Sequence, residues 1–587
     1  MHNKDNLRTS QHPIFNVATS LLLVAVLGAA LPIRGWHASD WNKQLNQSPD
    51  RPRRSQTPSP TPTPAASSTP AAQPSPSPLA PRVQAQTGAS AKTLAELQNR
   101  IAEILHKPEL AQAIVGVKVA SLDTGRVLFE ENGMKLLRPA SNMKLYTVAA
   151  ALDRLSPDYR YQTSVYVGAK PDSSGVIRGD LTIYGRGDPS FSARFNNGNY
   201  FKAIDDIATR IADAGVKRVE GDLIGDESYF TGPPYGSGWE WEDLTWYYGA
   251  GISALTINDN ALDLFIKPGS EPGSKALITT GPPDPLLTII NQVTTSAKGS
   301  RRDLTIYRDL GKDTLTASGS IAVDDRGYAG GVAISHPALL FVYLLRTSLA
   351  QKGVTVVGKS RVIGAEHQTI ITPGTVTISV GSQSSGNVQL DPKTELTNVQ
   401  SVPFNIIASQ TLKPSQNLYT ELILRTLGKI APSSATSTTP IKTSEEAGLN
   451  VVRTFLREAG LAPDSLSLTD GSGLSRNDMV TADATVQLLT FMSKHRYADA
   501  FRAALPIAGV DGTLRNRMRG TPAENNLRAK TGSLSSAASL SGYVTSAAGE
   551  KLVFSIIVNN YPDDVEPRTT CIDPIAVLLA SFSGKSQ

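Results

Sequence analysis

RPASNMKLYTVAAAL, residues 138–152, holds the four-residue pattern S-x-x-K at the start of a predicted helix. Positions i and i+3 share one helix face, so the amine of Lys144 should reach the hydroxyl of Ser141. A serine hydroxyl is a weak nucleophile, and a lysine can act as its base if burial keeps the amine neutral. The pattern predicts Ser141 as nucleophile and Lys144 as base, although a capping serine before a surface lysine would give the same letters.

A second candidate element, KTGS at residues 530–533, precedes two β-rich runs typical of a hairpin. On a strand, Lys530 and Thr531 could bind a substrate carboxylate by charge and hydroxyl. Gly532 would allow close approach of backbone to ligand. The N–H of Ser533, together with that of Ser141, could form an oxyanion hole. Taken alone, K-T-G is as readily a turn as a site.

The third element, Ser415-Gln416-Asn417, lies in PSQNLYTELILRTLG, residues 414–428, before a helix with apolar i, i+4 pairs. An ordinary N-cap would also account for this serine. Two other S-x-N triplets occur, at 385–387 and 475–477. The position before a long apolar-rich helix favours Ser415 over both.

Penicillin-binding proteins and class A β-lactamases carry S-x-x-K, S-D-N and K-T-G in this order. Here Gln416 stands where that set has Asp, and the flanks DGSGLSR (470–476), GVDGTLRNR (509–517) and RAKTGSLSSAASLSGYV (528–544) add detail. From residue 93 to the C-terminus the chain resembles the D-Ala-D-Ala carboxypeptidase/endopeptidase family, the class C low-molecular-mass (type-4) penicillin-binding proteins. The resemblance implies an α/β fold with a penicillin-binding/β-lactamase-like transpeptidase domain, an antiparallel sheet flanked by helices.

The long gap between Lys144 and Ser415 is β-rich and turn-rich, with helical stretches at 201–214 and 338–351. GRGDPSF (185–191), GDESYF (225–230) and the segment 239–260 resemble insert motifs of the family. We therefore expect a peptidase domain of residues 93–164 and 396–587. Residues 165–395 would form a β-rich insertion of two subdomains.

The resemblance also carries a substrate contact in the insertion. In relatives, an acidic residue and aromatics of the W-x-W-x-D…Y region approach the amine end of the stem-peptide side chain. The matching positions are Trp241, Asp243 and Tyr248. Aromatic packing within the insertion is an equally good interpretation of the same residues.

The implied activity is that of a serine-type D-Ala-D-Ala carboxypeptidase acting on peptidoglycan stem peptides through an acyl-enzyme on Ser141. Ser415 would relay a proton to the leaving amine with the help of Lys530, and Asn417 would orient the substrate amide. β-Lactam antibiotics should acylate Ser141, and cross-link endopeptidase action stays open. The alternatives are a β-lactamase and a catalytically silent wall-binding protein.

Other chemistries have little support in the sequence. The seven histidines lie in no ligand spacing and Cys571 is the only cysteine, so neither a metal nor a cofactor is expected. Residues 353–360 fit the P-loop pattern, but a helix precedes them and the interior Val-Thr-Val-Val predicts a strand. A net charge of +5 without a basic run does not indicate nucleic acid as a partner.

The N-terminus predicts export. Lys4 and Arg8 precede an apolar stretch at 14–33, so residues 1–35 are a secretory signal peptide or an uncleaved signal anchor. Residues 36–92 form a Pro/Ser/Thr-rich linker that cannot bury enough apolar surface to fold. We expect a periplasmic or cell-envelope protein, with anchoring to the inner membrane and the oligomeric state left open.

Overall fold

The computed structural model describes residues 90–309, 312–364, 368–372, 375–379, 394–431 and 441–586. The predicted signal or anchor and nearly all of the predicted linker lie outside these residues. Within the described ranges, no helix is both long enough and apolar enough to cross a bilayer.

The elements are numbered in chain order. The helices are α1 (Leu94–Leu105), α2 (Met143–Leu155), α3 (Lys202–Asp213), α4 (Pro337–Gln351), α5 (Phe404–Leu412), α6 (Asn417–Ile430), α7 (Ser444–Glu458), α8 (Ala482–Ser493), α9 (Ala498–Ala504) and α10 (Asp573–Ser581). The strands are β1 (Ile114–Ser121), β2 (Val127–Glu131), β3 (Gln162–Val167), β4 (Val176–Ile177), β5 (Leu181–Tyr184), β6 (Arg218–Val219), β7 (Leu223–Asp226), β8 (Ala261–Lys267), β9 (Leu277–Gly281), β10 (Thr288–Ser296), β11 (Asp303–Arg308), β12 (Thr314–Ala322), β13 (Tyr328–Ala333), β14 (Thr355–Val356), β15 (Ser360–Ile363), β16 (Gln368–Thr372), β17 (Thr375–Ser379), β18 (Thr394–Gln400), β19 (Leu466–Ser467), β20 (Met479–Val480), β21 (Arg528–Leu534), β22 (Ala537–Thr545) and β23 (Lys551–Asn559).

An antiparallel five-stranded sheet, in the order β2-β1-β23-β22-β21, forms the centre of the part of the chain predicted to be the peptidase domain, and that name is kept for it below. Strand β1 pairs with β23 in the register Ile114 to Asn559, so the two ends of the folded chain meet in the middle of the sheet. Successive side chains of a strand point to opposite faces. Accordingly Phe554 joins the core with α1 and α10, and Val553 joins the core with α2 and α8.

Helices α2 and α6 lie inside the domain, and both are buried on nearly all sides. Every residue of α6 from Asn417 to Gly428 is buried, and so is most of α2. Charged side chains on them, among them Lys144 and Glu421, are buried together with the apolar ones. Their starts, which carry S-x-x-K and S-x-N, are therefore held rigidly by the core.

The chain leaves the peptidase domain and returns to it on neighbouring strands. β3 and β18 pair antiparallel at one edge of a seven-stranded sheet with the order β17-β16-β15-β7-β5-β3-β18. The predicted domain borders at 164/165 and 395/396 fall within these two strands. A single buried cluster joins this sheet to α3, α4 and the smaller sheets that contain β8, β10 and β12.

The insertion packs on the peptidase domain through a small apolar cluster. Phe230, Ile252 and Ala254 of the insertion contact one side of α6, at Leu418 and Leu422. The insertion therefore rests on the helix that begins with the S-x-N triplet.

The P-loop-like stretch has the structure that its interior predicts. Gly353 has a φ of 79° and follows the end of α4. β14 and β15 come next, where a P-loop would have a helix. The glycine terminates α4 in a left-handed conformation, as glycine commonly does after a helix.

Candidate active site

Ser141 and Lys144 come together as the helical spacing predicts. A short 3-10 turn, Ala140–Asn142, runs directly into α2. The Lys144 amine donates to the Ser141 hydroxyl oxygen at 2.9 Å. It also donates to Asn417 Oδ1 at 2.6 Å and to the Ser472 carbonyl at 2.7 Å. The alternative of a surface lysine is excluded, since Lys144 has 0% exposure.

The backbone in front of Ser141 is held in an unusual conformation. Ala140 has a φ of 47°, which costs an ordinary residue about 1 kcal/mol or more. Gly473 packs against it so closely that a Cβ there would lie 1.9 Å from the Ala140 carbonyl oxygen. A Cβ on Gly532 would lie 2.5 Å from the Pro139 carbonyl oxygen. Two glycines from distant segments thus pack closely against the turn before Ser141 and fix its conformation.

A glycine is therefore needed at position 532 for a structural reason that the sequence did not indicate. Its open side faces the turn before Ser141 and the hydroxyl of Ser539, which donates to the Pro139 carbonyl at 2.7 Å. The close approach seen in the structure is between two parts of the same chain. Contact of Gly532 with a ligand stays a prediction.

The electrostatic surroundings of Lys144 favour a neutral amine. Burial lowers the pKa of Lys144 to about 7, although the charges of Asp470, Glu421 and Asp478 act in the opposite direction. Glu421 and Asp478 are themselves buried carboxyls whose pKa values burial raises well above the usual range. Near neutral pH, Lys144 can accept a proton from Ser141.

Ser415 meets the second buried lysine. The Lys530 amine donates to the Ser415 hydroxyl oxygen at 2.9 Å and to the Thr531 carbonyl at 2.7 Å. Burial first, and the positive charge of Lys144 second, hold the pKa of Lys530 well below its usual value. Two serine–lysine pairs therefore occupy one site.

The N-cap interpretation of Ser415 is wrong. The N-cap of α6 is Gln416, whose side-chain oxygen accepts from the Leu418 N–H at 3.2 Å. Ser415 precedes Gln416 and has a φ of 66°. Its hydroxyl oxygen accepts from the Lys530 amine. Of the rival triplets, 385–387 lies outside the described residues. The other, 475–477, lies in the loop that follows Asp470.

The segment 530–533 forms part of β21, which is an edge strand of the sheet. Thr531 donates its hydroxyl to that of Thr513 at 2.8 Å, and Ser533 is exposed. The segment GVDGTLRNR thus contributes Thr513 to the site, a contact that the sequence did not indicate. An edge strand leaves backbone groups available for an extended peptide.

The insertion reaches the site through Tyr248. Its backbone carbonyl accepts from Asn417 Nδ2 at 2.8 Å, while the oxygen of the same amide accepts from Lys144. The Tyr248 ring contacts Tyr247 edge-on. The structure places the main chain of Tyr248 against the Asn417 amide, and a contact of the Tyr248 ring with substrate stays a prediction.

The other two predicted residues of the insertion differ in exposure. Trp241 is 55% exposed, whereas Asp243 is buried and accepts from Arg476 at 3.2 Å. Arg476 also pairs with Glu240 at 2.6 Å. Arg476 is the last residue of DGSGLSR, and the motif alone does not indicate its partners. Its positive charge, opposite to that of the two acids, is the sequence signal that could have indicated this pairing.

The loop after Asp470 shapes the floor of the site. One Asp470 oxygen accepts from the N–H groups of Ser472 at 2.9 Å and Gly473 at 2.6 Å. The other accepts from the Ser475 N–H at 2.9 Å and from Trp239 Nε1 at 2.8 Å. The buried carboxylate thereby holds the Ser472 carbonyl against Lys144. Within the described ranges, no group of three His, Cys, Asp or Glu side chains could hold a metal.

The comparison with known proteins agrees with this geometry. A family model described as the D-Ala-D-Ala carboxypeptidase 3 (S13) family matches residues 97–582. The chain belongs to this family. The D-alanyl-D-alanine carboxypeptidase of Actinomadura sp. is 34% identical over 512 residues, covering 85% of this chain and 87% of that protein.

Solved structures show the same fold. Penicillin binding protein 4 from Haemophilus influenzae superposes with a TM-score of 0.66 at 22% identity, covering 82% of this chain and 99% of that one. A second structure of that protein, complexed with a novel β-lactam, gives a TM-score of 0.63 at 20% identity with the same coverage. The predicted fold class, family and enzyme class are therefore confirmed. This member of the D-Ala-D-Ala carboxypeptidase 3 family is a serine-type hydrolase.

Proposed function

We propose that the chain removes the terminal D-Ala of peptidoglycan stem peptides through an acyl-enzyme on Ser141. The observation that carries this proposal is the 2.9 Å contact between the Ser141 hydroxyl and the fully buried Lys144 amine. Burial lowers the pKa of that amine to about 7, so roughly half of it is neutral at pH 7. The nucleophile and its base are adjacent before substrate arrives.

In the acylation step, the Ser141 hydroxyl proton passes to Lys144 as Ser141 Oγ bonds to the carbonyl carbon of the penultimate D-Ala. The N–H groups of Ser141 and Ser533 stabilise the oxyanion. The carbon–nitrogen bond then breaks, and the leaving amine takes up a proton through Ser415, whose hydroxyl lies beside Lys530.

Substrate is held by groups around these two serines. Asn417 orients the substrate amide, while Lys530 and Thr531 receive the terminal carboxylate. The proton that Lys144 took up in acylation has by then reached the leaving amine through Ser415. Water attacks the acyl carbon and gives a proton to Lys144. As the ester bond breaks, that proton returns to Ser141 and the shortened peptide is released. A β-lactam ring presents a similar acyl group and carboxylate, so it acylates Ser141 in the same way.

The test of this assignment measures acylation and peptide hydrolysis together. A fluorescent penicillin should label wild-type chain and a Ser493→Ala control, and both should release D-Ala from a pentapeptide. Ser141→Ala should do neither. Release of D-Ala by Ser141→Ala would refute the nucleophile, and rapid turnover of the penicillin without persistent label would favour a β-lactamase.

We further propose that Asp243 lies at the amine end of the stem-peptide side chain, beside Trp241. Asp243 is already paired with Arg476, so an incoming ammonium would share this carboxylate with the guanidinium. Asp243→Asn should raise KM for a pentapeptide with a free side-chain amine. It should leave KM nearly unchanged for the same peptide with that amine acetylated, and equal effects on both peptides would contradict the assignment.

The cell envelope is the expected location, with the N-terminal segment at residues 1–35 acting as signal or membrane anchor. Digestion of purified peptidoglycan separates the two possible activities on this substrate. Loss of D-Ala reports carboxypeptidase action, and loss of dimeric muropeptides reports endopeptidase action. Mass spectrometry of the exported chain would show whether residues 1–35 are retained.

A further inference from the structure

A strained turn of the insertion points at the start of α6. Asn258, Asp259 and Asn260 have φ values of 47°, 59° and 49°, and none of them is glycine. Left-handed conformations cost such residues about 1 kcal/mol or more each. They persist only where the surroundings hold them in place, so the turn must be fixed by its neighbours.

Side-chain hydrogen bonds hold this turn. The Asn258 oxygen accepts from the Ala193 N–H at 3.0 Å. The Asn260 amide accepts from the Ile257 N–H at 3.0 Å and donates to the Gly251 carbonyl at 2.8 Å. With both neighbours fixed, the middle residue has a defined direction.

That middle residue, Asp259, binds both the insertion and the peptidase domain. Within the insertion, the Asp259 carboxylate accepts hydrogen bonds from Ser192 Oγ at 2.6 Å and from Arg194 Nη2 at 2.8 Å. From α6 it accepts from the Tyr419 hydroxyl and from Gln416 Nε2, the latter at 3.2 Å. One buried carboxylate therefore connects the insertion to the first turn of the S-x-N helix.

Gln416 lies between two residues of the site. It follows Ser415 and precedes Asn417, and its own side chain is 3% exposed. Its oxygen caps α6 through the Leu418 N–H, and its nitrogen donates to Asp259. The orientation of this one amide thus fixes the backbone on which both Ser415 and Asn417 stand.

We propose that Asp259 is a positioning residue for the reaction, acting through Gln416 and Tyr419 on Ser415 and Asn417. The insertion then contributes to the catalytic geometry from two sides. The Tyr248 carbonyl orients the Asn417 amide, and Asp259 sets the start of the helix that carries it. This inference rests on the proposed roles of Ser415 and Asn417.

A substitution at Gln416 separates this role from simple helix capping. Gln416→Glu keeps an oxygen for the Leu418 N–H, and a negative charge suits a helix N-terminus. Capping alone therefore predicts no loss. In contrast, Glu at 416 would place a second carboxylate against Asp259 and displace the segment. Asp259→Asn in the same chain would supply an amide donor and restore the contact.

The experiment measures the second-order rate constant of acylation by a fluorescent penicillin, together with the melting temperature. Gln416→Glu should lower this rate constant about tenfold, and adding Asp259→Asn should recover part of that loss, as expected for directly coupled residues. Recovery is incomplete because the new amide nitrogen also faces Arg194. Asp263→Asn is the matched control. It removes another carboxylate of the insertion that accepts from a tyrosine, Tyr200, and among the described residues no hydrogen bond joins it to α6. It should acylate at the wild-type rate.

Hydrogen exchange keeps the test independent of catalysis. Exchange of the amides of residues 415–420 should be faster in Gln416→Glu and return toward wild type in the double variant. Wild-type rates and exchange in Gln416→Glu, or no recovery in the double variant, would overturn the proposal. Wild-type chain that takes no label at Ser141 would instead refute the proposed function, while the exchange data would still decide the coupling.

Discussion

The amine of Lys144 lies 2.9 Å from the hydroxyl oxygen of Ser141 and is closed off from solvent. The carboxyls of Asp470, Glu421 and Asp478 lie near enough to raise its pKa, yet burial outweighs them and the pKa falls to about 7. Burial thus brings the pKa of the proposed base close to neutral pH.

The rate of acylation should therefore rise with pH through a midpoint near 7 and level off about one unit above it. Lys144 accepts a proton only when it is neutral, and its neutral fraction grows as pH rises through its pKa. Stopped-flow measurement of the second-order rate constant for acylation by penicillin checks this. The range from pH 5 to pH 9 covers about two pH units on either side of the Lys144 pKa. Lys144→Arg, which stays charged throughout, should be inactive at every pH. A rate that falls with rising pH would contradict the role of Lys144.

Asn417→Asp should shift that pH profile upward. The new carboxylate would lie at the position of the Asn417 oxygen, 2.6 Å from the Lys144 amine, and an adjacent negative charge favours the protonated lysine. The midpoint of the acylation profile should move to higher pH by about one unit or more. Asn417→Ala, which removes the acceptor without adding charge, is the control and should lower the rate without an upward shift.

Gly473→Ala should cost much more stability than a matched substitution at Gly460. Both glycines have left-handed φ values, 78° and 87°, so each alanine costs about 1 kcal/mol in backbone strain. Only at Gly473 would the Cβ meet backbone, 1.9 Å from the Ala140 carbonyl oxygen, whereas nothing lies within 4 Å at Gly460. Urea denaturation should show a loss of about 3 kcal/mol or more for Gly473→Ala.

The same pair should differ in activity. Gly473→Ala displaces the turn that carries Ser141, so labelling by penicillin should be lost in the chain that remains folded. Gly460→Ala should label like wild type. Equal stability losses in the two variants would show that the contact with Ala140 is easily relieved.

Asp470→Asn should loosen the loop that supports Lys144. Both oxygens of Asp470 accept from N–H groups, and an asparagine offers only one oxygen. Its amide nitrogen would face donors, which should cost about 1–3 kcal/mol. Removing this charge also removes one influence that raises the pKa of Lys144, so the pH midpoint of acylation should move down.

The control for Asp470 is Asp172→Asn. Asp172 also accepts from two backbone N–H groups, of Ser174 at 2.9 Å and Val176 at 3.1 Å, but in an exposed turn of the insertion. It should change neither stability nor labelling noticeably in thermal melts and penicillin assays. An unchanged pH midpoint in Asp470→Asn would show that the charge of Asp470 does not reach Lys144.

Local patterns in the sequence predicted much of the site. The S-x-x-K spacing predicted the Ser141–Lys144 contact, because two residues one helical turn apart must meet. The β-rich runs after Lys530 predicted the hairpin of β22 and β23, which pair antiparallel over their full length. In both cases the deciding interactions lie within a few residues or a single turn.

Contacts between distant segments escaped the same reasoning. Nothing near Gln416 indicates that it, and not Ser415, caps α6, since the choice depends on where Lys530 lies. The roles of Asp259 and Arg476 depend on how the insertion sits against α6 and the loop after Asp470. Periodicity identifies the buried face of an element, but it does not identify the partner.

The pairing of β3 with β18 has a consequence for the order of folding. β1 must find β23 near the other end of the chain, and closing so long a loop is entropically costly. Once the insertion has folded, hydrogen bonds join Tyr161 to Ser401. The long segment between these two residues then no longer lengthens the loop that must close. The insertion also leaves the ribosome before α6 does. It can therefore serve as a surface on which α6 packs while the rest of the chain is still being synthesised.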